Sequence, residues 1–249
     1  MSWISSFHDN LLAKTLLSQR SPETLHQDCT FVLDILSVPQ GGKILDQCCG
    51  FGAMSLPLAQ MGYQVEGVDI TEDYIQQACL NIQEKNLNIE FHCQDAGTYC
   101  SHDCDAVFNW WTGFGYLESD EQNTQLINAA YQSLKSGGRY LLDVPNYAGV
   151  MNQFQPKMLH VFETDMGNIE LTRHSTMDLY RGRMLKIWEY RQNGVLIAEH
   201  HSNVRLFSSH ELVQIFTEMG FQNIQLLGNQ QGDPLSLKHL RCICIGEKP

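Results

Sequence analysis

The strongest constraint on the fold of this chain is an alternation of short β-type runs with helical patterns between Ser21 and about Asn146. Parallel strands need a crossover connection, usually a helix, so this alternation is typical of a parallel sheet covered by helices. The same pattern resumes after residue 207. We therefore predict an α/β fold with strands at residues 43–46, 64–69, 89–93, 105–109, 139–144, 222–227 and 240–245.

Capping residues mark the helix boundaries of this α/β part. Pro22 predicts a helix start, because proline at the first helical position has no N–H to leave unpaired. Two serine residues have the spacing of a capping box, Ser119 before Gln122 and Ser208 before Glu211. The sequence Lys-Ser-Gly-Gly at 135–138 predicts the end of the helix that begins after Ser119.

The pattern changes between residues 150 and 207. Runs rich in Val, Ile, Thr and aromatic residues are separated there by turn sequences such as Asn193-Gly194. Asn-Gly favours a type I′ hairpin turn, in which both central residues have positive φ. We interpret 1–249 as a single domain with an antiparallel β cap inserted at 150–207. Residues 1–36 are expected to be helical, and their apolar residues suit either a lid or an ordinary docked helix: Trp3, Ile4, Phe7, His8 and Leu11.

A glycine turn lies between two acidic residues that end neighbouring predicted strands, Asp46 and Asp69. Glycines let the backbone approach a ligand closely, and an acid about 20 residues further on can accept hydrogen bonds from a ribose. These residues predict a nucleoside site. Asp46 would repel a pyrophosphate, and Ser55 stands where a dinucleotide motif has glycine, so an NAD(P)-dependent oxidoreductase is only the alternative. S-adenosylmethionine (SAM) carries an ammonium and a sulfonium and no phosphate, and it suits Asp46 better.

With these residues the sequence resembles the class I SAM-dependent methyltransferases over nearly its whole length. Residues 46–52, DQCCGFG, resemble the first motif of the family in the D-x-C-C-G-x-G form of a small-molecule subset. Residues 134–138 resemble the family's L-K-P-G-G turn, and residues 205–212 and 219–221 resemble its C-terminal segment. The resemblance implies a Rossmann-like sheet of seven strands, mostly parallel with the last one antiparallel, and helices on both faces.

The resemblance also implies which residues bind SAM. The methionine part is implied to lie against Asp46, Cys48, which replaces a glycine, and the turn from Gly50 to Gly52. Asp69 is implied to bind the ribose and Ile70 to pack on the adenine. The remaining implied contacts are Asp95 and Ala96 at the adenine edge, and Asn109 near the methionine and the transferable methyl group.

The acceptor is expected at residues 109–116, which follow the carboxyl end of a central strand, where α/β sheets bind ligands. Tryptophans can pack over cationic or planar groups, although one of the two here suits the core equally well. The predicted substrate residues are Trp110, Trp111, Tyr116 and Arg205, the last either a carboxylate clamp or a brace of the sheet. The inserted hairpins are expected to roof the pocket, with Tyr180, Trp188, Tyr190, His200 and His201 as candidates. Methyl transfer needs no base; if one acts, His201 or His8 is the prediction.

Composition limits the partners of the chain. The formal net charge of −12 argues against nucleic acid, whose binding depends on clustered Lys and Arg. The nine cysteines, with no basic signal segment and no apolar run of about 20 residues, predict a cytoplasmic protein without a membrane segment. No metal is expected, because Cys100, His102 and Cys104 lack paired C-x-x-C spacing.

The predicted function is methyl transfer from SAM to an N, O or C atom of a small molecule such as a specialised metabolite. The alternatives are an NAD(P)-dependent oxidoreductase and a SAM-binding module without turnover. The sequence leaves open whether the protein is a monomer or a homodimer.

Overall fold

A computed structural model of the chain describes residues 7, 10–12, 15–16, 20–82, 87–111, 113–164 and 167–249. The chain divides into two compact units. One comprises Met1–Ser21 and Met151–Leu206, and the other comprises Pro22–Val150 and Phe207–Pro249. The second unit is the α/β part, and the first contains the residues with hairpin patterns.

The elements follow the chain in the order predicted from its periodicity. They are α1 (Asn10–Leu12), α2 (Pro22–Leu36), β1 (Lys43–Gln47), α3 (Ser55–Gln60), β2 (Gln64–Asp69), α4 (Glu72–Ile82), β3 (Ile89–Cys93), β4 (Cys104–Asn109), α5 (Asp120–Ser133), β5 (Leu134–Pro145), α6 (Tyr147–Asn152), β6 (Lys157–Thr164), β7 (Gly167–Asp178), β8 (Arg183–Gln192), β9 (Val195–Arg205), α7 (Ser209–Met219), β10 (Gln222–Leu227) and β11 (Arg241–Glu247). Both predicted capping boxes are present, at Ser119 and at Ser208.

The α/β unit contains a seven-stranded sheet in the order β10-β11-β5-β4-β1-β2-β3. The pairs among β1 to β5 are parallel, whereas β11 is antiparallel to both of its neighbours. The mostly parallel, seven-stranded sheet is therefore confirmed. The strand order reverses between β1 and β4, and a crevice at the carboxyl ends of such a pair is the usual ligand site of open α/β sheets.

Two hydrophobic cores cover the two faces of this sheet. Side chains alternate along each strand, so Leu45 and Leu142 lie in one core while their neighbours Ile44 and Leu141 lie in the other. All four are almost completely buried. Strands buried on both faces explain the nearly continuous apolar runs in the sequence.

The segment 135–138, predicted to end the helix that begins after Ser119, lies within β5. Helix α5 ends at Ser133, and β5 begins directly at Leu134. Leu134 pairs with Cys104, but the next pair joins Arg139 to Ala106, so residues 135–138 bulge out of the ladder. Gly137 and Gly138 instead exchange backbone hydrogen bonds of 2.7 and 2.9 Å with Lys248, which extends the pairing beyond β11.

The other unit contains a four-stranded sheet, β6-β7-β8-β9, whose neighbouring strands are all antiparallel. One face carries Ile169, Leu171, Trp188 and Tyr190, which form a small core with Phe7 and other N-terminal residues. The opposite face is exposed. The predicted antiparallel insertion is thus present as a sheet with a core of its own.

The N-terminal residues that suggested a lid are described only in part. Phe7 packs edge-on against Trp188, with 5.1 Å between the ring centroids. Trp3, Ile4 and His8 lie outside the described residues. Among the helices that are described, none is long and apolar enough to cross a membrane.

Candidate cofactor and acceptor site

Asp46 lies at the carboxyl end of β1, and only 3% of the residue is exposed. Its Oδ2 accepts a hydrogen bond of 2.6 Å from Ser55 Oγ, at the start of α3. Burial raises the pKa of Asp46 to about 7 and the charge of Asp69 adds to this effect, although the hydrogen bond from Ser55 opposes it. A cation beside this carboxylate would therefore relieve the cost of burying its charge.

Asp69 ends β2 and anchors the glycine turn. Its Oδ2 accepts a hydrogen bond of 2.9 Å from Gly50 N–H, and its Oδ1 accepts one of 2.8 Å from Thr71 N–H. Each carboxylate oxygen has a second lone pair, so hydroxyl donors can still bind there. The acid that the sequence assigns to the ribose thus also determines the shape of the turn.

The two glycines of the turn are required for different reasons. Both have positive φ, 56° at Gly50 and 77° at Gly52. A Cβ atom at Gly52 would lie 2.7 Å from the ring of Phe91, whereas at Gly50 the nearest atom would be 3.9 Å away, in Tyr74. The surroundings of Gly52 are filled by protein, whereas the space beside Gly50 is open.

Cys48 has a φ of 57° where the family motif has glycine. A non-glycine residue in the left-handed region costs about 1–3 kcal/mol and is characteristic of functional sites. Burial raises the pKa of the thiol above its usual value, and the charge of Asp69 raises it further, so Cys48 is a neutral thiol. A Cβ atom at Gly113 would lie 2.5 Å from Cys48 Sγ. The stretch after β4 that carries Trp110, Trp111 and Tyr116, which we call the aromatic segment, therefore passes over the glycine turn at Gly113.

The residues assigned to adenine lie next to this turn. Ile70 follows β2 and is 61% exposed, which is unusual for a large apolar side chain at a strand end. Asp95 is exposed and accepts a hydrogen bond from Gly97 N–H at 2.8 Å, while Ala96 is buried. Gln47, which sequence reasoning missed, is fully buried and its Nε2 donates to the carbonyls of Ala96 and Leu126. It ties the loop at Ala96 to the end of β1.

The side chain of Asn109 is used within the protein. Its Nδ2 donates to the Gln47 carbonyl at 3.0 Å, and its Oδ1 accepts from Gly113 N–H at 2.9 Å. Trp110 is 7% exposed and packs in the core, with its ring centroid 5.9 Å from that of Phe31. Of the adjacent tryptophans, only Trp111 is partly exposed.

An ion pair between a buried carboxylate and a partly exposed arginine, which the sequence did not reveal, supports Trp111. Asp143 of β5 is 3% exposed, and Arg241 of β11 donates to it twice, from Nε to Oδ1 at 2.9 Å and from Nη2 to Oδ2 at 2.6 Å. Asp143 Oδ2 also accepts the N–H of Trp111 at 3.0 Å. The available signal was a single charge in each of two apolar runs, Asp143 within LLDVP and Arg241 at the start of RCICIG.

Tyr116 and Asn123 lie at the far end of the aromatic segment. Burial raises the pKa of Tyr116 to about 12, against the lowering effect of the Arg241 charge, so the phenol stays protonated. Asn123 of α5 accepts from Gly115 N–H and Leu117 N–H through Oδ1, both at 3.1 Å. The segment is thus held at several points by side chains from other elements.

The candidates on the four-stranded sheet have partners within that sheet. Arg205 Nη1 donates to the Leu206 carbonyl at 2.7 Å, and a Cβ atom at Gly182 would lie 2.7 Å from the same nitrogen. His201 is exposed, with Nε2 3.0 Å from Glu199 Oε1. Trp188 and Tyr190 are core residues, Tyr180 is 94% exposed, and His200 lies 5.3 Å from the Tyr190 ring. The roles of Arg205 and His201 toward an acceptor stay predictions.

In the part of the chain that the structure describes, no three His, Cys, Asp or Glu side chains gather as a metal site would require. Cys100 is exposed and Cys104 is buried. Asp46, Asp69 and Gly50 instead lie together at the crevice expected at the carboxyl ends of β1 and β2, and Gly113 lies against Cys48 beside them.

Comparison with known proteins agrees with this geometry. Residues 44–138, which run from β1 into β5, match the family described as methyltransferase domain. This part of the chain is therefore similar to methyltransferase domains. A putative methyltransferase from Geobacillus sp. (strain WCH70) is 31% identical over 128 residues, which cover 50% of this chain and 48% of that protein. The chain therefore spans about half the length of the curated relatives it matches.

Solved methyltransferase structures share the fold over nearly the whole chain. The CcbJ methyltransferase from Streptomyces caelestis superposes with a TM-score of 0.79 at 13% identity and covers 95% of this chain and 96% of its own. CalS10, an amino pentose methyltransferase from Micromonospora echinaspora, gives a TM-score of 0.69 at 17% identity and covers 93% of both chains. The methyltransferase domain match disfavours the oxidoreductase alternative.

Proposed function

We propose that this protein transfers a methyl group from SAM to an N, O or C atom of a small-molecule acceptor in the cytoplasm. The observation that carries the proposal is the buried Asp46 carboxylate beside the open cradle at Gly50, within a methyltransferase domain. The D-x-C-C-G-x-G form of the motif and the net charge of −12 favour a small molecule over nucleic acid.

The residues of the crevice fit the parts of SAM. A carboxylate whose pKa is raised to about 7 by burial suits an ammonium group, because the cation restores its ionised form. The exposed Ile70 offers an apolar surface for adenine. We assign the methionine part to Asp46, Cys48, Gly50 and Gly52, the ribose to Asp69, the adenine to Ile70, Asp95 and Ala96, and the strand end nearest the methyl to Asn109.

The protein's contribution to the reaction is alignment. SAM supplies an electrophilic methyl group when bound. The surrounding chain holds the acceptor in line and excludes water, an effect that can lower a barrier by about 7–11 kcal/mol. We assign acceptor contact to Trp111 and Tyr116, with Arg205 as a further candidate. Trp110 supports them from the core, and His201 is the candidate for a base if the acceptor needs one.

One experiment tests the function and separates it from SAM binding without turnover. The purified protein is incubated with SAM labelled with tritium in the methyl group and with a metabolite extract, and labelled products are identified by mass spectrometry. We expect transfer into a small molecule, and transfer into added tRNA at background level. Binding of SAM by calorimetry without any labelled product would contradict the enzyme and leave a binding module.

Replacing Asp69 by Ala is expected to weaken SAM binding at least tenfold. The variant removes the carboxylate assigned to the ribose and also the acceptor of the Gly50 N–H bond. Loss of hydrogen bonds to a charged group costs about 1.5–3 kcal/mol, which supports this magnitude. Calorimetric titration measures the effect, and Asp73→Ala, at an exposed acid in the next helix, is the control. Unchanged affinity in Asp69→Ala would place the ribose elsewhere.

A further inference from the structure

We propose that Asp143 is a positioning residue for the acceptor: held by Arg241, it fixes the backbone of Trp111 so that this indole borders the cofactor crevice. The inference rests on the proposed function for its consequence in catalysis. The structural claim, that Asp143 controls the backbone conformation of Trp111, is based only on contacts within the α/β unit.

The ladder between β4 and β5 shows why Asp143 is placed for this task. The last parallel pair joins Asn109 to Leu142, so the chain leaves the sheet immediately after β4. Trp111 N–H then lies beyond the paired residues of the ladder. Asp143 is the next residue of β5, and its Oδ2 accepts that N–H at 3.0 Å. The carboxylate thus replaces the missing ladder bond.

Arg241 keeps the carboxylate in one orientation. β11 pairs antiparallel with β5, with Ile243 opposite Asp143, and the Arg241 side chain reaches both carboxylate oxygens. Arg241 Nη2 also donates to the Asp143 carbonyl at 3.1 Å. A bidentate pair with an additional backbone bond has little freedom to rotate, so the direction of the bond to Trp111 is defined.

The backbone of Trp111 shows what this bond maintains. Its φ is 65°, a conformation that large side chains rarely adopt. The alternation of the strand is broken there: Trp110 enters the core, whereas Trp111 lies at the edge of that core and stays partly exposed. Two residues later, Gly113 passes over Cys48 of the glycine turn. The conformation at Trp111 therefore sets the direction in which its indole leaves the strand, two residues before the contact with the glycine turn.

The test compares Asp143→Asn with Asp105→Asn. Asp105 is a matched control at the opposite end of β4, because it also accepts a backbone N–H, from Lys43 at 2.8 Å, and also pairs with a cation, Lys135. In protein labelled with 5-fluorotryptophan, the Trp111 signal is assigned with Trp111→Phe. We expect the signal in the fluorine NMR spectrum to shift or split in Asp143→Asn and to stay unchanged in Asp105→Asn.

The effect of the variants on methyl transfer is measured with the tritium assay, at saturating SAM and increasing amounts of extract. For Asp143→Asn we expect the extract concentration that gives half-maximal transfer to rise at least tenfold, with the SAM dissociation constant within about twofold of the wild type. Arg241→Lys keeps the charge but loses the bidentate pair with Asp143, so we expect the same pattern of effects. This variant replaces Asp143→Asn in the test if Asp143→Asn does not fold.

The outcomes separate the two proposals. An unchanged Trp111 signal in both Asp143→Asn and Arg241→Lys, or equal effects in Asp143→Asn and Asp105→Asn, would overturn the positioning role. A wild-type protein that transfers no label contradicts the proposed function, and in that case the fluorine spectrum alone still decides whether Asp143 controls Trp111.

Discussion

SAM binding is expected to weaken about tenfold for each pH unit below about 7, because Asp46 takes up a proton in the free protein. The ammonium of SAM favours the carboxylate form, so the pKa of Asp46 must fall on binding. The affinity is fully present above the free-state pKa and is lost as the pH decreases through it. Calorimetric titrations from about pH 5 to about pH 7.5 measure this slope.

The stability of the free protein is expected to change with pH in the opposite direction. The folded-state pKa of Asp46 is raised to about 7 from an ordinary value of 3.8, so this group contributes stability below the ordinary value that is lost as the pH rises toward 7. Denaturant titrations with and without SAM would therefore diverge as the pH increases.

Asp46→Asn tests the assignment of both effects to one residue. The variant keeps the size of the side chain and an oxygen acceptor for Ser55, but it removes the charge. Removing one partner of a buried charged pair costs about 2–5 kcal/mol, so the dissociation constant of SAM should rise roughly 30-fold or more at pH 8. The slope with pH should disappear.

Ser55→Ala is the matched control for Asp46. It removes the hydrogen bond that lowers the pKa of the carboxylate, so the pH midpoint of SAM binding should move upward while the slope remains. A slope that persists in Asp46→Asn would show that another group titrates and that Asp46 is not the ammonium site.

Gly52→Ala is expected to destabilise the protein far more than Gly50→Ala, although both glycines have positive φ. Alanine in the left-handed region costs about 1–2 kcal/mol at either position. At Gly52 the new methyl would also lie 2.7 Å from the Phe91 ring, and overpacking adds about 1–3 kcal/mol. At about 2–4 °C per kcal/mol for a chain of this size, Gly52→Ala should lower Tm by roughly 4–20 °C.

The two variants should rank in the opposite order for SAM binding. The space beside Gly50 is open, so a methyl there fits the protein but enters the proposed cradle and should weaken SAM at least tenfold. Phe91→Leu provides the internal control, since it should restore part of the stability lost in Gly52→Ala while it destabilises the wild type. Equal losses of stability in Gly50→Ala and Gly52→Ala would mean that the Phe91 ring does not exclude a side chain at position 52.

Local patterns were sufficient to predict most of the fold. Strands β2 and β3 have the predicted bounds. Each is a short β-type run between turn and capping residues, so residues adjacent in the sequence determine where the strand begins and ends. The bulge at 135–138 could not be predicted in the same way. Its conformation depends on hydrogen bonds with Lys248, and the sequence does not say that these distant segments are neighbours.

The proposed cofactor residues lie in one continuous segment and could be predicted together, whereas the proposed acceptor residues come from separate elements. Asp46 and Asp69 belong to a single strand–helix–strand unit, so their spacing alone predicts that they lie together. Trp111, Asp143 and Arg241 come from three elements and meet only because β11 pairs with β5. Strand periodicity also could not decide which tryptophan is core, since the positive φ of Trp111 interrupts it.

The core of the unit with the four-stranded sheet joins residues that are far apart in the sequence. Phe7 lies in that core with Ile169, Leu171 and Trp188. During synthesis on the ribosome, the segment around Phe7 emerges before β7 and β8 and has no partner strands until they have been translated. Until then the apolar side chains of this segment are unpacked, so chaperones can bind the segment and proteases can cleave it. We therefore expect protection of this segment during synthesis to affect how much of the protein accumulates intact.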